Sequence, residues 1–251
     1  MLQGRSAMTK LSFDITIPVL NEESRLRAGV ETLVRFLAQE GLDDRCRITI
    51  ADNGSTDRTA DVAAELLSKY PNVGYLSVGK RGVGLALKTA WGQSRADIVG
   101  YMDVDLATDI QHFKQVVAAF ETGSAALVNG SRNLPGSRVV NRSRVRDVSS
   151  WGFNTLLRLM LRVRFTDGMC GFKFLRRSAY EAVARVGIRN DGWFFCTEIL
   201  YIAERLGHKI EELAVTWTDD RESRVRLVRL SLYYLREINH LRRRHIEENA
   251  A

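Results

Sequence analysis

The chain has 251 residues, 45% of them hydrophobic, and carries a formal net charge of +7 at pH 7. That length can bury the core of one large domain, and the charge points to acidic partners: phosphates, nucleotides, nucleic acid or an anionic membrane. The three cysteines, Cys46, Cys170 and Cys196, lack C-x-x-C spacing, which argues against a disulfide framework or structural zinc and suits a reducing cytoplasm.

The first ten residues read as a loose lead without a signal-peptide core. "FDITIPVL" from Phe13 to Leu20 predicts a strand. A helix follows, with Leu26, Val30, Leu33, Val34 and Leu37 on one face and Gly41 as its stop. "CRITIADN" from Cys46 to Asn53 is the second strand, a helix runs from about Thr59 to Tyr70, and "VGYLSVG" is the third strand. A helix from Val83, a strand ending at Asp105, a helix near Ile110 to Phe120 and the strand "AALVNGSR" from Ala125 to Arg132 complete this half. Strands separated by helices imply βαβ units and a mostly parallel sheet flanked by helices, which binds ligands beyond the carboxyl ends of its strands.

Polar residues cluster at those ends: Asn21 and Glu22, Asp52 and Asn53, Lys80 to Gly82, Asp103 and Asp105, and Ser131 and Arg132. Asp52-Asn53-Gly54 alone is an ordinary turn, and Asp105 alone could cap a helix. Five such groups at one edge point to a site. If the fourth strand persists to its end, Asp103 and Asp105 project from the same face and repel each other, which calls for a cation beside them. A divalent Mg²⁺ or Mn²⁺ held by both would bridge phosphate oxygens, with Lys80 and Arg81 adding charge. "GKRGVG" fits neither the dinucleotide fingerprint nor a P-loop, so a metal–diphosphate site on a nucleotide remains.

With these residues in view, the chain resembles family 2 glycosyltransferases of the GT-A fold. "TIPVLNEE", "ADNGSTDRT", "GKRGVGLALKTAW", "DVD" and "NGSR" match that family's motifs in order. "FTDGMCGFKFLRRSA", "GWFFCTEILYIAERLG" and "VTWTDDRESR" extend the likeness to the polyprenyl-phosphate hexosyltransferases, nearer dolichyl-phosphate β-glucosyltransferase than dolichyl-phosphate mannose synthase. The resemblance implies a catalytic domain over 11–222, with a donor half to about 132 and an acceptor half from 133, then a basic amphipathic helix and tail over 223–251.

It also implies roles. Pro18, Leu20 and Glu22 resemble residues holding the base and ribose, and Asp52, with Asn53 beside it, the carboxylate that reads the base. Lys80 and Gly82 belong to the donor set. Asp103 and Asp105 are the D-x-D pair on the metal and diphosphate. Arg221 and Arg224 resemble a loop closing on the diphosphate. Mannose synthases carry a further polar ligand where this chain has Ala107, so UDP-glucose comes ahead of GDP-mannose as donor. Ser131, Arg132, Arg142, Arg144, Arg146 and Asp167 form the implied acceptor set, and Glu198 stands where the family places an acidic residue near the acceptor. Cys196 occupies a position that is often Asp in the glucosyltransferases.

The arginines from Arg132 to Arg146 precede "WGFNTLLRLMLRVRF", too short an apolar run to span a bilayer. They suit a lipid phosphate lying along the cytoplasmic face of a membrane, or else a solvated basic face. The tail from Val225 to His245 can line Leu227, Leu230, Tyr234, Leu235, Ile238 and Leu241 along one side; it would bind a membrane, its own domain or a second subunit in a homodimer. The expected reaction is inverting transfer of a hexose to a polyprenyl phosphate; transfer to a hydroxyl of a soluble or lipid-linked acceptor is the alternative. Nucleic-acid binding lacks aromatic–basic interleaving and leaves the D-x-D unexplained.

Overall fold

The computed structural model describes residues 10–141, 144–218 and 227–244, with side chains at 10–141, 150–218 and 233–244. Five strands follow in the expected order: β1 (Phe13–Val19), β2 (Cys46–Asp52), β3 (Val73–Ser77), β4 (Ile98–Met102) and β5 (Leu127–Ser131). Helices α1 (Leu26–Gln39), α2 (Thr59–Lys69), α3 (Val83–Gln93) and α4 (Phe113–Thr122) connect them. The second half adds β6 (Arg138–Val140), α5 (Arg144–Leu161), β7 (Phe172–Arg176), α6 (Arg177–Val186), α7 (Phe195–Arg205), β8 (Ile210–Ala214), β9 (Thr216–Thr218) and α8 (Leu227–Arg242).

The main sheet runs β3-β2-β1-β4-β7-β5-β8. Only β7 is reversed, pairing antiparallel with both β4 and β5. The carboxyl ends of β1 to β5 therefore share one edge, although β5 lies two places from β4. β6 and β9 form a separate parallel pair.

Strand alternation splits the core into two layers. Phe13, Ile15, Ile17 and Val19 of β1 pack with Leu33, Phe36, Leu66 and Phe120 on one face. On the other, Val99, Tyr101 and Leu175 meet Leu87, Trp91, Phe195 and Ile199. Each fully buried aliphatic or aromatic side chain of this kind contributes about 1.5–3 kcal/mol.

The C-terminal helix joins this second layer: Tyr234, Ile238 and Leu241 are buried in it, so α8 docks on its own domain. Leu235, expected on the same side, is exposed, while the side chains of Leu227 and Leu230 lie outside the described residues. No described helix is long and apolar enough to cross a membrane.

Candidate active site

The register brings the expected donor residues together. Val19 pairs with Asp52 and Thr16 with Tyr101, so Asp103 emerges level with Pro18. β4 stops at Met102, one residue short of the carboxylates. The expectation that Asp103 and Asp105 share a face because a strand carries them is thus corrected. A turn carries them, closed by Leu106 N–H donating to the Asp103 carbonyl at 3.0 Å, with Leu106 at φ 49°. Ala107 N–H donates to Asp105 Oδ1 at 3.0 Å, and Thr218 N–H of β9 donates to the Ala107 carbonyl at 2.8 Å.

Two glycines make room for the turn. A Cβ at Gly29 of α1 would stand 2.1 Å from the Val104 carbonyl oxygen, and one at Gly171 only 1.8 Å from Asp103 Oδ2. A third close approach involves α3: a Cβ at Gly84 would meet the carbonyls of Asn190 and Gly192 at 2.8 Å.

Both carboxylates line a cavity of about 610 Å³, together with Pro18, Leu20, Glu22, Asn53 and Gly82. Arg25 and Arg81 bring positive charge to the same walls. Asp191, Gly192 and Trp193, from the loop before α7, close it, and Trp193 is 49% exposed. A larger hollow of about 710 Å³ lies between Asp43–Arg47 and Arg95, but no expected site residue lines it.

Asn53 lines the rim, while Asp52 is buried behind it and does not line the cavity. Asp52 Oδ1 accepts from the Gly54 and Ser55 amides at 3.1 and 2.8 Å, and its Oδ2 accepts from the Tyr75 hydroxyl at 2.9 Å. Burial and this carboxylate raise the Tyr75 phenol above its ordinary value. Asn53 Nδ2 donates to the Val19 carbonyl at 2.8 Å while its Oδ1 accepts from Gly82 N–H at 3.2 Å, tying β1 to the start of α3. Lys80 is exposed and does not line the cavity.

Burial, then the neighbouring Asp105, push the Asp103 carboxyl up to about 7, against the pull of Arg132 and Lys173. Among the described residues its carboxylate accepts no hydrogen bond. A pair of oxygen-donor side chains that repel each other suits a hard divalent cation. Among the described residues no cluster of three His, Cys, Asp or Glu side chains exists to complete a protein-only cage. Substrate oxygens would have to finish the coordination, as is usual for Mg²⁺.

The expected acceptor residues are arranged differently. Arg132 is corrected from a free phosphate clamp to half of a buried ion pair. Its Nε and Nη2 donate to Asp167 at 2.7 and 3.0 Å, and its guanidinium lies 5.1 Å from the Trp217 ring centre. Burial alone would lower the guanidinium and raise the carboxyl. The pairing overrides both, holding Arg132 high and Asp167 well below the usual carboxylate range. The fork geometry that would grip a phosphate thus faces Asp167, whose Oδ1 also accepts from Met169 N–H at 3.1 Å.

Ser131 Oγ meets Thr166 Oγ1 at 2.6 Å and accepts from Asn133 N–H, so it braces a turn. Glu198 is corrected from an acceptor-side acid to a buried anchor. Its carboxylate accepts from the Arg189 and Asn190 amides and pairs with Arg244 at 3.0 Å. The side chains of Arg142, Arg144 and Arg146, and residues Arg221 and Arg224, lie outside the described residues.

Lys173 was not singled out in the sequence. It is 1% exposed on β7, with Nζ 2.5 Å from the Cys170 carbonyl, and its charge pulls on both Asp103 and Asp167. A lysine inside the apolar run "FKFLR" was the available signal. Cys196 contacts the Tyr101 hydroxyl at 2.7 Å; burial raises its thiol, which is therefore inert rather than acidic.

The family description "Glycosyl transferase family 2" matches residues 14–184. The chain belongs to that family. The transferase is 36% identical to glycosyltransferase AglD of Haloferax volcanii over 86% of its own length, but spans only 34% of that protein. It is 28% identical to dolichyl-phosphate beta-glucosyltransferase of Dictyostelium discoideum, covering 98% of this chain and 78% of that one. The Mus musculus protein of the same name is 30% identical, with 84% and 68% covered. The fold is GT-A: the transferase superposes on glucosyl-3-phosphoglycerate synthase of Mycobacterium tuberculosis, solved with UDP, at a TM-score of 0.64 and 22% identity, covering 92% of this chain and 79% of that one. The same synthase has also been solved with Mn²⁺, UDP and phosphoglyceric acid.

Proposed function

We propose that this transferase moves glucose, with inversion, from UDP-glucose to a polyprenyl phosphate at the cytoplasmic face of a membrane. The observation carrying it is the cavity at the carboxyl edge of β1 and β4, whose walls include Asp103, Asp105, Arg25 and Arg81. The names of the Dictyostelium and mouse relatives supply the sugar and the lipid phosphate. Residues 11–132 serve the donor and 133–222 the acceptor, and the remaining stretch, 223–251, contains α8.

In this reading Asp103 and Asp105 hold Mg²⁺ or Mn²⁺. Such an ion, when bound, supplies positive charge to the diphosphate as it leaves. Pro18, Leu20 and Glu22 frame the nucleoside with Asp52 behind them, Asn53 and Gly82 fix the rim, and Arg81 brings charge to the diphosphate; Lys80 lies off the cavity wall, and Arg221 and Arg224 keep only the loop role that the family resemblance implies. Preorganised cations of this kind stabilise charge that grows in the transition state. Arg142, Arg144 and Arg146 take the acceptor phosphate, since the Arg132 fork is held by Asp167.

An acceptor phosphate is already ionised at neutral pH and requires no general base, whereas a hydroxyl does. The engagement of Glu198 with two amides and Arg244 supports the phosphate reading. One observation favours the hydroxyl alternative: Asp191 lines the cavity and could act as base, although Lys88 pairs with it at 2.5 Å. Membrane contact is supported by Trp151 and Leu159 of α5, which are 64% and 74% exposed. The free, buried cysteines suit a reducing compartment.

The test offers UDP-glucose and GDP-mannose with polyprenyl phosphate or the matching free alcohol, to wild type and Asp191→Asn. Use of UDP-glucose and the phosphate, with Asp191→Asn retaining most activity, is expected. Efficient use of the alcohol, abolished by Asp191→Asn, selects the alternative.

A further inference from the structure

The cavity wall formed by Asp191, Gly192 and Trp193 belongs to residues 187–194, which have neither helix nor strand of their own. Three helices hold this segment. From α3, Leu85 N–H donates to the Asp191 carbonyl at 3.1 Å and Lys88 Nζ reaches Asp191 Oδ1 at 2.5 Å. From α7, the Glu198 carboxylate accepts from Arg189 N–H at 3.1 Å and Asn190 N–H at 2.8 Å.

The third hold comes from the C-terminal helix and its end, beyond the stretch matched to the family. Asn190 Nδ2 donates to Tyr233 Oη at 2.6 Å and to Glu237 Oε2 at 2.9 Å. Just past α8, Arg244 Nη1 donates to Glu198 Oε1 at 3.0 Å while Nη2 donates to the Val186 and Gly187 carbonyls. Both side chains are withdrawn from water, 11% exposed for Arg244 and 3% for Glu198. One carboxylate thus ties Arg244 to both loop amides, so removing the guanidinium frees one side of Glu198 and lets its hold on the Arg189 and Asn190 amides loosen.

We propose that Arg244, acting through Glu198, is a positioning residue that fixes the 187–194 loop and so sets Trp193 and Asp191 against the reaction cavity. It touches no reacting atom. Its loss loosens the acceptor-side wall and leaves the donor side on β1, β2 and β4 intact. The kinetic half of this inference rests on the transfer reading above; the loop half stands without it.

The test uses the full chain as wild type, Arg244→Met, Arg244→Lys and Tyr233→Phe. Amide hydrogen exchange is read over residues 187–194 and over β1 and β4. A charge-assisted hydrogen bond corresponds to roughly ten- to a hundredfold in an equilibrium. Arg244→Met is therefore expected to speed exchange at Arg189 and Asn190 by at least about tenfold, with β1 and β4 unchanged. Arg244→Lys should restore part, because one ammonium can meet Glu198 but cannot also span both carbonyls.

With polyprenyl phosphate in vesicles, the acceptor KM of Arg244→Met should rise about tenfold. UDP affinity should stay within about twofold. Unchanged loop exchange in folded Arg244→Met, or acceptor and donor binding weakened alike, overturns the proposal. If Arg244→Met does not fold, Arg244→Lys decides: loop exchange faster than in wild type is expected, and none refutes the proposal, while Tyr233→Phe reports the Asn190 contact alone. A wild type that transfers no sugar to any acceptor refutes the transfer reading, while the exchange data still judge the loop.

Discussion

Replacing Gly171 by alanine probes the D-x-D turn without substituting either carboxylate. The new Cβ would stand 1.8 Å from Asp103 Oδ2, 2.4 Å from its Cγ and 2.7 Å from its Oδ1. Ordinary contact begins near 3.4 Å, so the carboxylate must retreat by roughly 1.6 Å. All three nearest atoms belong to that one side chain, which can rotate away. An off-rotamer side chain costs about 0.5–1.5 kcal/mol, so the melting temperature should fall by only a few degrees. The effect on the site is larger, because a displacement of about 1 Å at a reacting centre costs on the order of a hundredfold in rate, or about 2.7 kcal/mol. Calorimetry of UDP binding with and without Mn²⁺, beside transfer kinetics, separates the two effects. The Gly171→Ala chain should melt almost as wild type, lose the metal-dependent part of UDP affinity and lose about a hundredfold in kcat/KM. Wild-type kinetics, or collapse of the fold, would refute the reasoning.

Asp105→Ala and Asp103→Asn should each abolish transfer and the response of UDP binding to Mg²⁺, and full turnover in excess chelator would contradict the metal assignment. Asp167→Asn leaves Arg132 as a buried charge without its anion and should cost about 3–5 kcal/mol in urea unfolding, with little loss in the Asp167→Asn, Arg132→Met pair. Asp167 titrates lower in the folded chain than in the unfolded one. It therefore stabilises the fold fully above the ordinary aspartate range near pH 4 and less as pH falls below it. Wild type should lose stability below pH 4 more steeply than Asp167→Asn; equal slopes in acid unfolding would count against the pair. Trp151→Ser with Leu159→Ser should weaken co-sedimentation with anionic vesicles at low salt, and unaltered sedimentation would remove α5 from the membrane face.

Much of the donor side was legible because it depends on local pattern. Alternating apolar residues placed β1, β2 and β4, and parallel strands must carry their terminal polar residues to one edge. The acceptor side depends on contacts distant in sequence. Nothing local in "FKFLR" announces that β7 runs antiparallel between β4 and β5, or that Lys173 is buried close enough to act on both Asp103 and Asp167. Arg132 and Asp167 were both singled out, but residues 35 apart give no sign that each is the other's partner. Glu198 drew an acceptor-side role from the family resemblance alone, and a matching position reads the same whether its carboxylate is free or enclosed. Arg189, Asn190 and Arg244 decide the matter, and the last lies just past a helix whose amphipathic pattern does not reveal what covers it.

The most direct test measures transfer of labelled glucose from UDP-glucose to polyprenyl phosphate in lipid vesicles with Mn²⁺, for wild type and Asp103→Asn. Formation of a polyprenyl-phosphate-linked glucose of β configuration by wild type, absent with Asp103→Asn, is the expected result. No glucolipid from wild type while a soluble acceptor is glucosylated, or equal transfer by Asp103→Asn, would contradict the account.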